Sequence, residues 1–117
     1  MTASHPDITV SLDAGSAVLA LPPRLESALE DSLVEALQEA LATSPRLLIF
    51  DFSSVEAATS SGIGLLIDGL RRADEHHVEV ALAAVGGQPL LVLRRIGLLH
   101  RLAAHETVAA AKASARP

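Results

Sequence analysis

The sequence holds no cysteine, no tryptophan and no tyrosine, and only two phenylalanines among its 117 residues. Without cysteine there is no disulfide, no thiolate nucleophile and no zinc ribbon. Basic residues are also few, nine against fourteen acids, for a net charge of −5. Nucleic-acid binders rely on a basic footprint and, for single strands, on aromatic platforms. The chain has neither in quantity, so no direct nucleic-acid contact is expected. The pairs Arg71-Arg72 and Arg94-Arg95 are short and read as solvated helix faces. No apolar run nears the roughly 18–20 residues that span a bilayer, which argues against membrane insertion. The first ten residues, MTASHPDITV, have neither the cationic start nor the apolar core of a signal peptide. A cytoplasmic location is the expectation.

What is present is aliphatic. Half of the residues are hydrophobic, enough for one core of Leu, Val, Ile and Ala in a chain of single-domain length. Ile8-Thr-Val-Ser-Leu12 alternates apolar and polar, the period of a half-buried strand. Asp13-Ala-Gly15 supplies a turn and Ser16 to Leu21 a second extended run, which together predict a β-hairpin. Pro22-Pro23 stops it. Leu25, Leu29, Leu33, Leu37 and Leu41 then recur every four residues, predicting one helix with an acidic solvent face of Glu26, Glu30, Asp31, Glu35 and Glu39. Ser44-Pro45 ends that helix.

Leu47 to Phe50 is a short continuous apolar run that suits a strand buried on both faces. A loop follows Asp51. A second helix is predicted from Ser61, with Ile63, Leu66, Ile67 and Leu70 on its buried face. Val78 to Val85 reads as a strand. A third helix is expected with Pro89 in its first turn, Val92, Leu93 and Ile96 inward, and Gly97 at its C-terminal cap. A short strand is weakly signalled near Arg101–Ala104, and a terminal helix from a threonine cap at Thr107. The order β-β-α-β-α-β-α-(β)-α predicts one α/β domain, residues 1–117 with a core of about 8–111. Its mixed sheet has helices packed upon it.

Several chemistries fail on spacing. Gly62-Ile-Gly64-Leu-Leu-Ile67 opens like a dinucleotide fingerprint, but Ile67 stands where the third glycine is needed. Neither Ser60 nor Ser61 has the glycine two residues earlier that a hydrolase elbow requires. His76 and His77 are adjacent and point apart, His5 falls in a frayed N-terminal tail, and His100 and His105 flank a weak segment. All five read as surface residues. No metal site, no cofactor and no enzymatic constellation is expected.

The stretch that asks for an explanation is Ala57-Ala-Thr-Ser-Ser-Gly-Ile-Gly64. A serine here caps the coming helix by accepting a bond from an early backbone N–H. The same unsatisfied N–H groups and the helix dipole also tolerate an anion. A phosphate on Ser60 would add about −1.5 to −2 charges in such a place without unfolding the domain, while a partner docked there would lose affinity.

Leu48-Ile-Phe-Asp-Phe-Ser-Ser-Val55, followed by Thr59-Ser-Ser-Gly-Ile-Gly-Leu-Leu66, resembles the STAS domain, the fold of bacterial anti-sigma factor antagonists. The likeness continues through Arg71-Arg72, the strand at Val78, and Val92-Leu-Arg-Arg-Ile-Gly-Leu-Leu99, from about Ile8 to Ala111. The resemblance implies a non-enzymatic interaction module that binds an anti-sigma factor acting as a serine kinase. Ser60 would be the phosphorylated residue, and phosphorylation would release the antagonist. A phosphatase would reset it. The implied contact surface is Ser53, Ser54, Thr59, Ser60, Ser61 and Gly62. One position departs from the family: Thr59 replaces an aspartate, which removes a charge and offers a third candidate hydroxyl. The alternative is a constitutive accessory subunit of a lipid-transport ATPase or a stress-sensing assembly. Monomer and homodimer both remain open.

Overall fold

In the computed structural model, which describes residues 2–114, the predicted hairpin forms from Ile8–Asp13 (β2) and Ser16–Ala20 (β3). Its two-residue loop holds Ala14 at φ 47° and Gly15 at φ 91°. Two successive left-handed residues give the tight turn that matches the twist of paired strands. Gly15 adopts that conformation freely, whereas Ala14 is held in it by the register on either side. An unforeseen strand, Thr2–His5 (β1), pairs antiparallel with β2. Beyond β3 the sheet turns parallel, through Leu47–Asp51 (β5), Glu79–Ala83 (β7) and Ala103–His105 (β8). The strand order is β1-β2-β3-β5-β7-β8. A separate two-stranded parallel pair joins Arg24–Leu25 (β4) to Ala57–Ala58 (β6).

The first helix begins later than its leucine spacing suggests. Leu25 is in β4 and Leu29 ends a 3₁₀ turn, so the α-helix proper is Glu30–Ala42 (α1). All five leucines are nevertheless buried. Leu25 reaches the core as a strand residue, because its backbone is committed to pairing with β6. The acidic face of α1 also does more than meet water. His5 Nε2 lies 2.9 Å from Glu39 Oε2, and Nδ1 lies 3.6 Å from Glu35 Oε2. His5 is therefore clasped onto α1, not frayed.

Ser60–Glu75 (α2), Gly87–Arg95 (α3) and Val108–Ala113 (α4) complete the chain. Side chains alternate across the central strands, with Leu19, Leu48, Phe50 and Leu82 in the main core beside residues of α1, α2 and α3. Val18, Leu47, Ile49, Ala81 and Ala83 face the other way, where Ala111 of α4 covers them. Two predicted core residues are exposed instead, Ile67 at 47% and Ile96 at 48%. In α2 the inward stripe includes Gly62, Gly69 and Ala73. A Cβ on Gly69 would come within 3.2 Å of Leu37 Cδ1. Small residues thus make the close contact, and the helix rotates Ile67 outward. Ile96 follows the last residue of α3, and Gly97, left-handed at φ 80°, turns the chain away behind it.

Candidate functional site

The carboxyl ends of β3, β5 and β7 point the same way, and the loops leaving them meet at one end of the sheet. Asp51 closes β5, and its Oδ1 accepts from Ser53 N at 2.9 Å. Val55 N donates to Phe52 O at 3.0 Å, which tightens the turn that displays Ser53 and Ser54 to solvent. The chain then runs back along β4. Glu56 N and Ala57 N donate to Pro23 O at 2.8 and 3.1 Å, and Thr59 N donates to Leu25 O at 3.0 Å. These bonds set where α2 begins.

The cap falls on Thr59, not on a serine. Its backbone is extended, and its Oγ1 accepts from Gly62 N at 3.0 Å. The same hydroxyl donates to Leu25 O at 3.4 Å. The aspartate's replacement therefore keeps a capping acceptor at this position. The helix starts one residue earlier than predicted, with Ser60 as its first residue. Ser60 and Ser61 are exposed at the positive end of a 16-residue helix whose first turn holds no acid.

Gly62 is buried for a physical reason. A Cβ there would lie 1.9 Å from Leu25 O and 2.3 Å from Leu25 C. The helix start rests directly on the backbone of β4. Gly64 is different, since a Cβ would meet nothing within 4 Å. Thr59, Ser60, Ser61 and Gly62 thus form one corner, held by the Thr59 cap and by the contact of Gly62 with Leu25. Ser53 and Ser54 share the loop, but no hydrogen bond joins them to that corner among the described residues.

Sequence reasoning missed one residue altogether. Gln88, in the first turn of α3, accepts from Ala58 N through Oε1 at 2.8 Å and donates from Nε2 to Ala58 O at 3.0 Å. It lies 30 residues along the chain from Ala58, and nothing in the local pattern marks it. Farther along α2, hydrogen bonds from Arg72 and then Arg71 hold the Asp68 carboxyl below the usual carboxylate range. Arg71 also reaches Glu75 at 3.1 Å, so this arginine pair is neutralised on its own helix.

A groove of about 840 Å³ runs between α2 and β8 and includes Ile67 and Ile96 in its wall. None of the six candidate residues lines it. Ser53, Ser54, Thr59, Ser60 and Ser61 are exposed and lie outside this groove, a placement that suits a protein partner better than an enclosed small substrate. Among the described residues no group of three or more His, Asp or Glu side chains is placed to hold a metal ion. No helix among them is long and apolar enough to cross a membrane.

The family model for the STAS domain matches residues 6–111. An anti-sigma-factor antagonist (STAS) domain protein from Planctomyces limnophilus superposes with a TM-score of 0.80 at 26% identity, over 94% of this chain and 98% of that one. An anti-sigma factor antagonist from Mycobacterium paratuberculosis gives 0.81 at 22% identity, over 98% and 100%. A sulfate transporter family protein from Wolinella succinogenes gives 0.77 at 17% identity, over 90% and 88%. No curated protein sequence matches the chain. With strands β2 to β8, helices α1 to α3 and the loop-to-helix corner inside the matched span, the chain belongs to the STAS domain family.

Proposed function

We propose that the protein is an anti-sigma factor antagonist, a non-enzymatic cytoplasmic module that binds an anti-sigma factor with serine kinase activity. Phosphate on Ser60 releases it from that partner, and a phosphatase restores it. The observation that carries this reading is the division of labour between Thr59 and Ser60. Thr59 spends its hydroxyl on the cap and on Leu25 O. Ser60, the next residue, is exposed and makes no such bond. A phosphate placed there meets the helix dipole and free N–H groups, so the fold tolerates it. The cost falls on a docked partner, which must desolvate or repel the new charge.

Two measurements test this. Intact mass with site mapping, on protein from its own cells in growth and under stress, should show phosphate on Ser60 that changes with condition. Phosphate on Thr59 alone would move the switch, and its absence under every condition would remove it. The second measurement separates stability from binding. Ser60→Asp should leave the protein as stable as before, or more stable by about 0.3–1 kcal/mol through the dipole, while weakening kinase binding. Ser60→Ala should keep binding and block modification. Loss of binding in a folded Ser60→Ala protein would sink the simple switch.

A second reading, a constitutive accessory subunit of a lipid-transport ATPase or a stress-sensing assembly, draws on Thr59. A site without the family's aspartate offers a kinase one fewer charge. Kinase and sigma-factor genes beside this one would favour the first reading, and a transporter cassette the second.

A further inference from the structure

We propose that Gln88 is a positioning residue for the Ser60 hydroxyl, fixing how the loop presents it to a partner. The inference rests on the reading of Ser60 as the switch. β6 is two residues long, and β4 covers one of its edges. Successive N–H groups of a strand point to opposite edges, so the Ala58 amide and carbonyl face away from β4. Gln88 takes the place of a missing strand there, with its bonds of 2.8 and 3.0 Å. A primary amide offers one acceptor and two donors, which lets it mimic the peptide group of a neighbouring strand. Its orientation is dictated by Ala58, whose N–H needs an acceptor and whose C=O needs a donor.

The chain entering α2 is therefore gripped from both sides: Ala58 by Gln88 and Thr59 by Leu25 O. Ser60 is the first residue beyond that grip. Phosphoryl transfer demands close alignment, and a misplacement of about 1 Å costs on the order of 100-fold. Because Gln88 is the second residue of α3, that helix becomes a mechanical part of the site although it lends no hydroxyl to it.

The test compares the intact protein with Gln88→Leu and Gln88→Glu by amide exchange and NMR chemical shifts. In Gln88→Leu the Ala58 amide should exchange about tenfold faster, and the Ser60 and Ser61 resonances should move. The amides of Leu48 and Phe50 in β5 should keep their protection. Unchanged exchange at Ala58 would overturn the proposal, as would a freed Ala58 with unmoved Ser60 and Ser61. Gln88→Glu gives an independent reading should the leucine variant not fold. A carboxylate accepts from Ala58 N but has no proton for Ala58 O, whereas the protonated acid has both. Its Ser60 shift should therefore approach the wild-type value as pH falls below about 4.3 and depart from it above. A flat profile would count against the clasp. In cells, phosphate occupancy of Ser60 should fall at least about tenfold in Gln88→Leu; wild-type occupancy would overturn a positioning role. If wild-type Ser60 never carries phosphate, the switch reading fails, and the NMR result still decides whether Gln88 positions the residue.

Discussion

Thr59 and Thr107 open their helices with the same bond. Each has an extended backbone, and each hydroxyl accepts from the amide three residues on, at 3.0 Å in both cases. The surroundings share little. Behind Thr59 stand Leu25 O, the backbone under Gly62 and the Gln88 clasp, and the helix runs for 16 residues. Thr107 starts a helix of six residues, of which only Ala111 is fully buried. Capping is generic chemistry, available wherever a hydroxyl precedes a helix. What makes one start a candidate switch and the other an ordinary helix start is the set of distant residues that hold it still.

The most severe way to break the comparison is through the two glycines in the first turns of α2, Gly62 and Gly64. Gly62→Ala drives a methyl into Leu25 C and O. Backbone cannot yield as a side chain does, so the helix start must lift from β4. A loss of at least about 3 kcal/mol is expected in denaturant unfolding. Gly64→Ala, two residues away, meets open space. It should raise stability by about 0.5–1 kcal/mol, since glycine is a poor helix former. If Gly62→Ala were as benign as Gly64→Ala, the helix start would not be braced on β4.

A milder cut removes each cap in turn. Thr59→Ala loses the acceptor for Gly62 N and the contact with Leu25 O. It should cost about 1–2 kcal/mol of global stability. Thr107→Ala loses the same kind of cap, but from a six-residue helix with one fully buried residue. Its effect should appear as faster amide exchange confined to Val108–Ala113, with global stability changed by about 0.5 kcal/mol or less. Equal global losses would show that α4 unfolds with the whole domain and that the two helix starts are held alike.

The same pair explains what the sequence discloses and what it conceals. The hairpin, the buried β5 and the Gly97 cap were legible because each depends on a local pattern: alternation, an unbroken apolar run, a glycine after a helix. Thr107 was legible as a cap for the same reason. The corner at Thr59 is legible as a loop entering a helix and as a stretch resembling a family, but nothing in the sequence shows that its cap is Thr59 and not a serine. Leu25 belonged to a helical spacing and became a strand residue, since its backbone serves a partner 33 positions later. Ile67 was placed inward by hydrophobicity, yet glycines decide which side of α2 lies closest to the core. His5 looked like tail because its partners, Glu35 and Glu39, lie on another element. Gln88 carried no signal at all. Residues that act through pairing across the chain leave no period to read.

The smallest effect concerns pH. Neither threonine cap contains an ionisable group, so both helix starts should be indifferent to pH across the neutral range. The β1 clasp is not. The hydrogen bond to Glu39, aided by Glu35, raises the His5 pKa above its ordinary 6.5. The folded state therefore holds the His5 proton more tightly than the unfolded chain does. Its stabilisation is complete below about pH 6.5 and fades as pH rises through the folded value. Both carboxylates are well exposed, so solvent screening keeps the effect below about 1 kcal/mol. Subtracting the stability profile of His5→Gln from that of the wild type, between pH 5.5 and 8.5, isolates this contribution from the other histidines. The difference should shrink with rising pH and with added salt. Over the same range the free energy of opening at the Thr2–His5 amides should fall, while that at Gly62 and Ala110 stays level. A parallel fall at Gly62 would mean that the clasp and the α2 corner are energetically one unit, and that the switch surface inherits the pH dependence of the far edge of the sheet.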